Sequence, residues 1–83
     1  MSTREEIEAA VARAIAGAGL PSKVANLDRS VLMSTPFGDL GFDSFAMMEF
    51  CIEIQLQLGI DLEAAEVADL GTPVKVVERI AKG

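Results

Sequence analysis

Ile7, Val11 and Ile15 recur at four-residue spacing with Ala14 beside them, which draws one apolar stripe along a helix. Thr3 followed by Glu6 has the form of a capping box, with Ser2 as the alternative start. Ala16-Gly17-Ala18-Gly19-Leu20-Pro21 closes the pattern, because glycine ends helices and proline restricts the residue before it. The first helix is therefore expected over about 3–16. A second helical pattern runs over 44–58 and carries two stripes. Met47, Phe50 or Cys51, Ile54 and Leu58 form one, while Phe45, Met48, Ile52 and Leu56 form the other. A small bundle buries one broad face of such a helix, so the second stripe calls for extra core, a partner or a ligand.

Gly59-Ile60-Asp61-Leu62 makes a turn, and a short helix is expected over about 63–68. A piece that short depends on tertiary packing. The last helix is expected over about 72–82, with Thr72 as cap and Pro73 first, where its missing amide proton costs little. Val76 or Val77 and Ile80 point inward, and Gly83 ends the pattern. Residues 17–43 read as one long connection broken by Gly17, Gly19, Pro21, Pro36, Gly38 and Gly41. A loop of that length needs pinning, for which Leu27, Val31, Leu32, Phe37 and Leu40 are available. A brief helical turn over 22–27 and a turn over 34–37 are candidates within it. The expected fold is all-α: a small bundle of three principal helices and one short helix, with the long loop between the first two, in one domain spanning 1–83.

Composition restricts the chemistry. With no histidine and one cysteine, Cys51, an internal disulfide is ruled out and a zinc site of the usual ligands is close to excluded. The opening residues carry acids and lack a secretory apolar segment, and no apolar run is long enough to span a bilayer. A cytoplasmic, soluble, monomeric domain away from membranes is the expectation. Thirteen acidic residues face seven basic ones for a net charge of -6, and the imbalance is concentrated. Between Ser30 and Val74 there are Asp39, Asp43, Glu49, Glu53, Asp61, Glu63, Glu66 and Asp69 and no base at all. Such a field attracts basic protein surfaces and repels a phosphate backbone, which argues against nucleic acid.

The inventory is poor for an enzyme, and none is expected. Without histidine there is no Ser-His-acid arrangement, and no lysine lies close in sequence to Ser44 as a base. Asp39, Asp43 and Glu49 do not match the calcium-loop spacing, leaving weak magnesium binding at most and no expected metal site. Cys51, between Phe50 and Ile52, reads as a small buried hydrophobe. Ser44 is the chemical centre instead. Asp43 or Ser44 can cap the incoming helix, and a serine there is held within reach of other molecules.

Asp39-Leu40-Gly41-Phe42-Asp43-Ser44-Phe45-Ala46-Met47-Met48-Glu49 resembles the attachment motif of the acyl carrier protein family. The likeness extends over nearly the whole chain, from the first helix to Thr72-Pro73 opening the last. It implies that Ser44 receives 4′-phosphopantetheine from coenzyme A through a phosphopantetheinyl transferase, with acyl groups then carried on the arm's thiol as thioesters. Asp43 corresponds to the aspartate that helps hold magnesium in the transferase complex. Phe45, Met48 and Ile52 correspond to an apolar docking strip, with Glu49 and Glu53 facing basic patches on acyltransferases, ketosynthases and tailoring enzymes. Met47, Phe50, Ile54 and Leu58 are candidates to shelter part of an acyl chain, and they equally satisfy an ordinary core.

Departures from the family pattern narrow the kinship. Phe45 replaces the usual leucine after the serine, and Ala46 stands where fatty-acid carriers commonly have an acid. The string is more similar to discrete carriers of aromatic-polyketide or related specialised pathways. The Gly-Gly-His-Ser approach of peptide-synthetase carriers is absent. Carriage for fatty-acid synthesis or of an aminoacyl group is the nearer alternative. An unmodified helical interaction domain, with Ser44 serving only as a cap, is the alternative of a different class.

Overall fold

The computed structural model describes residues 3–20, 24 and 26–82, which fold into an all-α bundle. Helix α1 spans Arg4–Ala16 and starts at the expected capping box. The Thr3 hydroxyl accepts the Glu6 amide at 3.2 Å, and the Thr3 amide donates to Glu6 Oε1 at 3.0 Å. That amide, with the Thr3 hydroxyl, holds the Glu6 carboxyl below its ordinary pKa. Its contribution to α1 is fully present above the usual carboxylate pKa and is lost as pH falls through the lowered one. Ile7, Ala10, Val11, Ala14 and Ile15 form the buried face.

The expectation of three principal helices and one short helix is corrected here. Among the described residues there are five helices, because the connection after α1 carries α2 at Arg29–Ser34. Six residues give too little periodicity to stand out, and flanking breakers disguise them. Local bonds and tertiary burial supply what propensity does not. Leu32 and Met33 are buried, Ser34 Oγ donates to the Ser30 carbonyl at 2.9 Å, and Thr35 Oγ1 donates to the Val31 carbonyl at 2.6 Å. Of the expected pins, Leu32, Phe37 and Leu40 are buried, whereas Leu27 and Val31 stay exposed and Val24 and Met33 take their place. The turn considered over 22–27 falls largely outside the described residues.

Helix α3 spans Ser44–Leu58, with Asp43 at its N-cap and the Gly59 amide donating to the Gln55 carbonyl at 2.8 Å behind it. Helix α4 runs over Ala64–Leu70 and α5 over Pro73–Ala81. Thr72 occupies the N-cap of α5 as expected, but its hydroxyl makes no capping bond and is buried without a partner. The role expected for Gly83 lies outside the described residues. Helix α1 packs on α3 and α5, α4 joins α3 to α5, and α2 leans on α5 and α1. Two polar ties reinforce this arrangement: Arg13 Nε to Gln57 Oε1 between α1 and α3, and Arg79 Nε to Glu66 Oε2 between α5 and α4, each 2.8 Å. Phe50, Ile54, Val11, Val67 and Val76 sit at the centre, none of them exposed to solvent. No helix of the described residues is long and apolar enough to cross a membrane.

Candidate functional site

The loop before α3 is folded back on itself by its own backbone. The Pro36 carbonyl accepts the Asp39 amide at 3.0 Å and the Leu40 amide at 3.1 Å, and the Phe37 carbonyl accepts Phe42 at 3.1 Å. Gly41 completes the turn at φ 93°, a conformation costly to any residue with a Cβ. Leu40 and Phe37 are buried, and the Phe37, Phe42 and Phe50 rings meet edge to face with centroids 4.9 to 5.8 Å apart. The loop is thereby anchored to α3 itself.

Ser44 emerges from that anchored loop as the first residue of α3, exposed. Asp43, and not Ser44, is the cap: its Oδ1 accepts the Ala46 amide at 2.8 Å. The first intrahelical bond is from Met47 to the Asp43 carbonyl, so the Ser44 and Phe45 amides have no intrahelical acceptor. A hydroxyl beside two free amides at the positive end of a 15-residue helix suits an anionic substituent. The donor set therefore fits a phosphodiester on Ser44 Oγ.

The structure separates the two stripes of α3. Met47, Phe50 and Ile54 are buried and Leu58 is half-buried, while Phe45, Met48, Ile52 and Leu56 are exposed at 65%, 54%, 46% and 74%. Together they make an apolar strip on the solvent side of α3, which Leu56 carries a turn beyond Ile52. Glu49 and Glu53 part company. Glu49 is half-buried beside the strip, whereas Glu53 turns toward α1, accepting from Gln57 Nε2 at 3.4 Å and approaching Gly17. Among the described residues the ion pairs are Arg4–Glu78, Arg29–Glu8 and Arg79–Glu66, so Glu66 alone of the acidic stretch is matched by a base.

Met48, Cys51, Ile52 and Gln55 face Asp61, Leu62 and Ala64 across a groove of about 190 Å³. A larger cleft of about 440 Å³ opens between α1 and α2, lined by Ile15, Leu20, Val24, Leu27 and Leu32 among others. Neither is lined by Met47, Phe50, Ile54 or Leu58; the first three belong to the buried core, so sheltering cargo among them requires displacing them, and the half-buried Leu58 packs against that core. No group of three or more potential metal-ligating side chains occurs among the described residues.

Burial raises the Cys51 thiol pKa, with the Asp61 and Glu66 charges adding to the effect. The thiolate is the reactive form, so alkylation of the folded protein should be slow at neutral pH and accelerate only above the ordinary thiol pKa of about 8.5. A pH series of iodoacetamide labelling read by mass checks this. Labelling at neutral pH as fast as a model thiol would contradict the placement of Cys51.

Comparison with known proteins bears on the same stretch. The family model described as the phosphopantetheine attachment site matches residues 22–80. The chain is also 36% identical over 70 residues to the non-reducing polyketide synthase Preu6 of Preussia isomera. That alignment covers 80% of this chain and 3% of the synthase, so the chain spans only a small part of its relative's length. No solved structure matches the chain.

Proposed function

From a chain that belongs to the phosphopantetheine attachment site family, whose members are non-catalytic carrier domains, we propose that Ser44 is the attachment point of a 4′-phosphopantetheine arm. The observation that carries this reading is the placement of Ser44: exposed, first in α3, on an anchored loop, beside the free amides of Ser44 and Phe45. In the loading step the Ser44 Oγ forms a bond to the β-phosphorus of coenzyme A. The phosphoanhydride bond breaks, adenosine 3′,5′-bisphosphate leaves, and the hydroxyl proton passes to the transferase. Asp43 keeps its carboxylate at the helix start, bonded to the Ala46 amide, where it is available to a magnesium ion brought with coenzyme A. Once attached, the arm supplies a thiol on which cargo is held as a thioester.

Polyketide intermediates are the proposed cargo. The likeness to a polyketide synthase supports this, as do Phe45 and Ala46 in place of the leucine and acid of fatty-acid carriers. Transferase, acyltransferase, ketosynthase and tailoring partners dock against Phe45, Met48 and Ile52, extended by Leu56 and flanked by Glu49 and, farther round, Glu53. Exposed charge contacts of this kind speed and orient encounter while adding little affinity, which suits repeated transfer.

Incubation with coenzyme A and transferases of proven activity tests the reading. Intact-protein mass should rise by one phosphopantetheinyl group per chain. A mass unchanged by every such transferase would favour the unmodified interaction domain.

A further inference from the structure

We infer that Phe42 is a positioning residue for group transfer onto Ser44, and that a hydrogen-bonded tie from the α4–α5 turn holds it in place. This rests on the carrier reading above. The Gly71 carbonyl, between α4 and α5, accepts the Phe37 amide at 3.0 Å. The Phe37 carbonyl in turn accepts the Phe42 amide at 3.1 Å. Two bonds in series thus connect a distant turn to the residue immediately before Asp43. The side chains repeat the connection. The half-buried Phe42 ring lies 4.9 Å from Phe37 and 5.8 Å from Phe50, centroid to centroid, and Phe50 belongs to the helix that Ser44 begins.

Such a loop presents one arrangement of Asp43 and Ser44. A transferase that binds only this arrangement sees its affinity reduced by whatever fraction of molecules leaves it. Gly71 offers access to the tie from outside the site. Its φ is 85°, and a Cβ added there meets nothing within 4 Å. Alanine at Gly71 therefore strains the turn without a collision, disturbing the Phe37 bond while leaving every residue of the attachment stretch unchanged.

Steady-state loading with coenzyme A and an active transferase provides the test, at a temperature where circular dichroism shows each variant folded. Phe42→Ala should raise KM for the carrier by about tenfold with kcat near the parental value. Phe42→Leu, which refills the space, should recover most of that loss, and Gly71→Ala should raise KM in the same sense. Val11→Ala, a fully buried change in α1 that lowers stability, should load at the parental KM. Parental KM for both Phe42→Ala and Gly71→Ala, or an equal rise in Val11→Ala, would overturn the inference alone. A parental protein that does not load would overturn the carrier reading and this inference with it.

Discussion

Ser44→Ala should leave a protein that folds like the parent and accepts no phosphopantetheinyl group. Ser44 is exposed and its side chain is not the cap; the Ala46 amide is already satisfied by Asp43 at 2.8 Å. Alanine is at home in the first helical turn, so the change in stability should stay within about 0.5 kcal/mol. The loss of loading should nevertheless be complete, because alanine removes the oxygen that forms the new bond. Intact mass after incubation with transferase and coenzyme A, alongside thermal unfolding by circular dichroism, reads both halves. Loading of the variant would show that another hydroxyl is used. A collapsed melting transition would show that Ser44 has a structural role the present geometry does not give it.

The second large effect concerns stability. Phe50→Glu should abolish cooperative folding at room temperature. Phe50 has no solvent exposure and its ring is the floor on which Phe37 and Phe42 rest, with centroids 5.5 and 5.8 Å away. Losing a buried aromatic side chain costs about 3–5 kcal/mol, and burying an unpaired carboxylate adds several more. A domain of 83 residues has a total stability of about 4–12 kcal/mol at typical per-residue values. The loss is thus comparable with the reserve. Glu49→Lys, one residue earlier, should keep the parental transition within about 0.5 kcal/mol and weaken partner docking instead. Urea unfolding of the two variants separates the buried side of α3 from its solvent-facing side. A Phe50→Glu protein that unfolds at the parental midpoint would contradict the core described here.

These two outcomes also mark what could be read directly from the residues. The limits of α3 were legible because Asp43 and Gly59 punctuate it, and α1 because Thr3 and Glu6 form a recognisable reciprocal pair. Helix α2 was not, since six residues among glycines and prolines acquire their helicity from the burial of Leu32 and Met33, which is a property of the assembled bundle. The two stripes of α3 were visible as a pattern, but periodicity alone gives them equal claim to the interior. Contact with α1 and α4 decides between them. Glu49 and Glu53 looked equivalent at four-residue spacing, yet the turn of the helix carries Glu53 toward Gln57 and Gly17. The sequence marks Phe42 only as part of the stretch that leads to Ser44. Its packing against Phe37 and Phe50 depends on the Gly41 turn, which the glycine marks, and on the bond from Phe37 to Gly71, which has no local signature. The attachment candidate was legible through the likeness of Asp39–Glu49 to a carrier attachment motif. Capping alone leaves both Asp43 and Ser44 as candidates for the helix start, and the Ala46 bond to Asp43 decides between them.

The carrier account depends most directly on which hydroxyl bears the arm. Tandem mass spectrometry of proteolytic fragments from the loaded parental protein should place one phosphopantetheinyl group on the fragment containing Ser44 and nowhere else. Attachment at Ser30, Ser34 or another hydroxyl, with Ser44 unmodified, would contradict it.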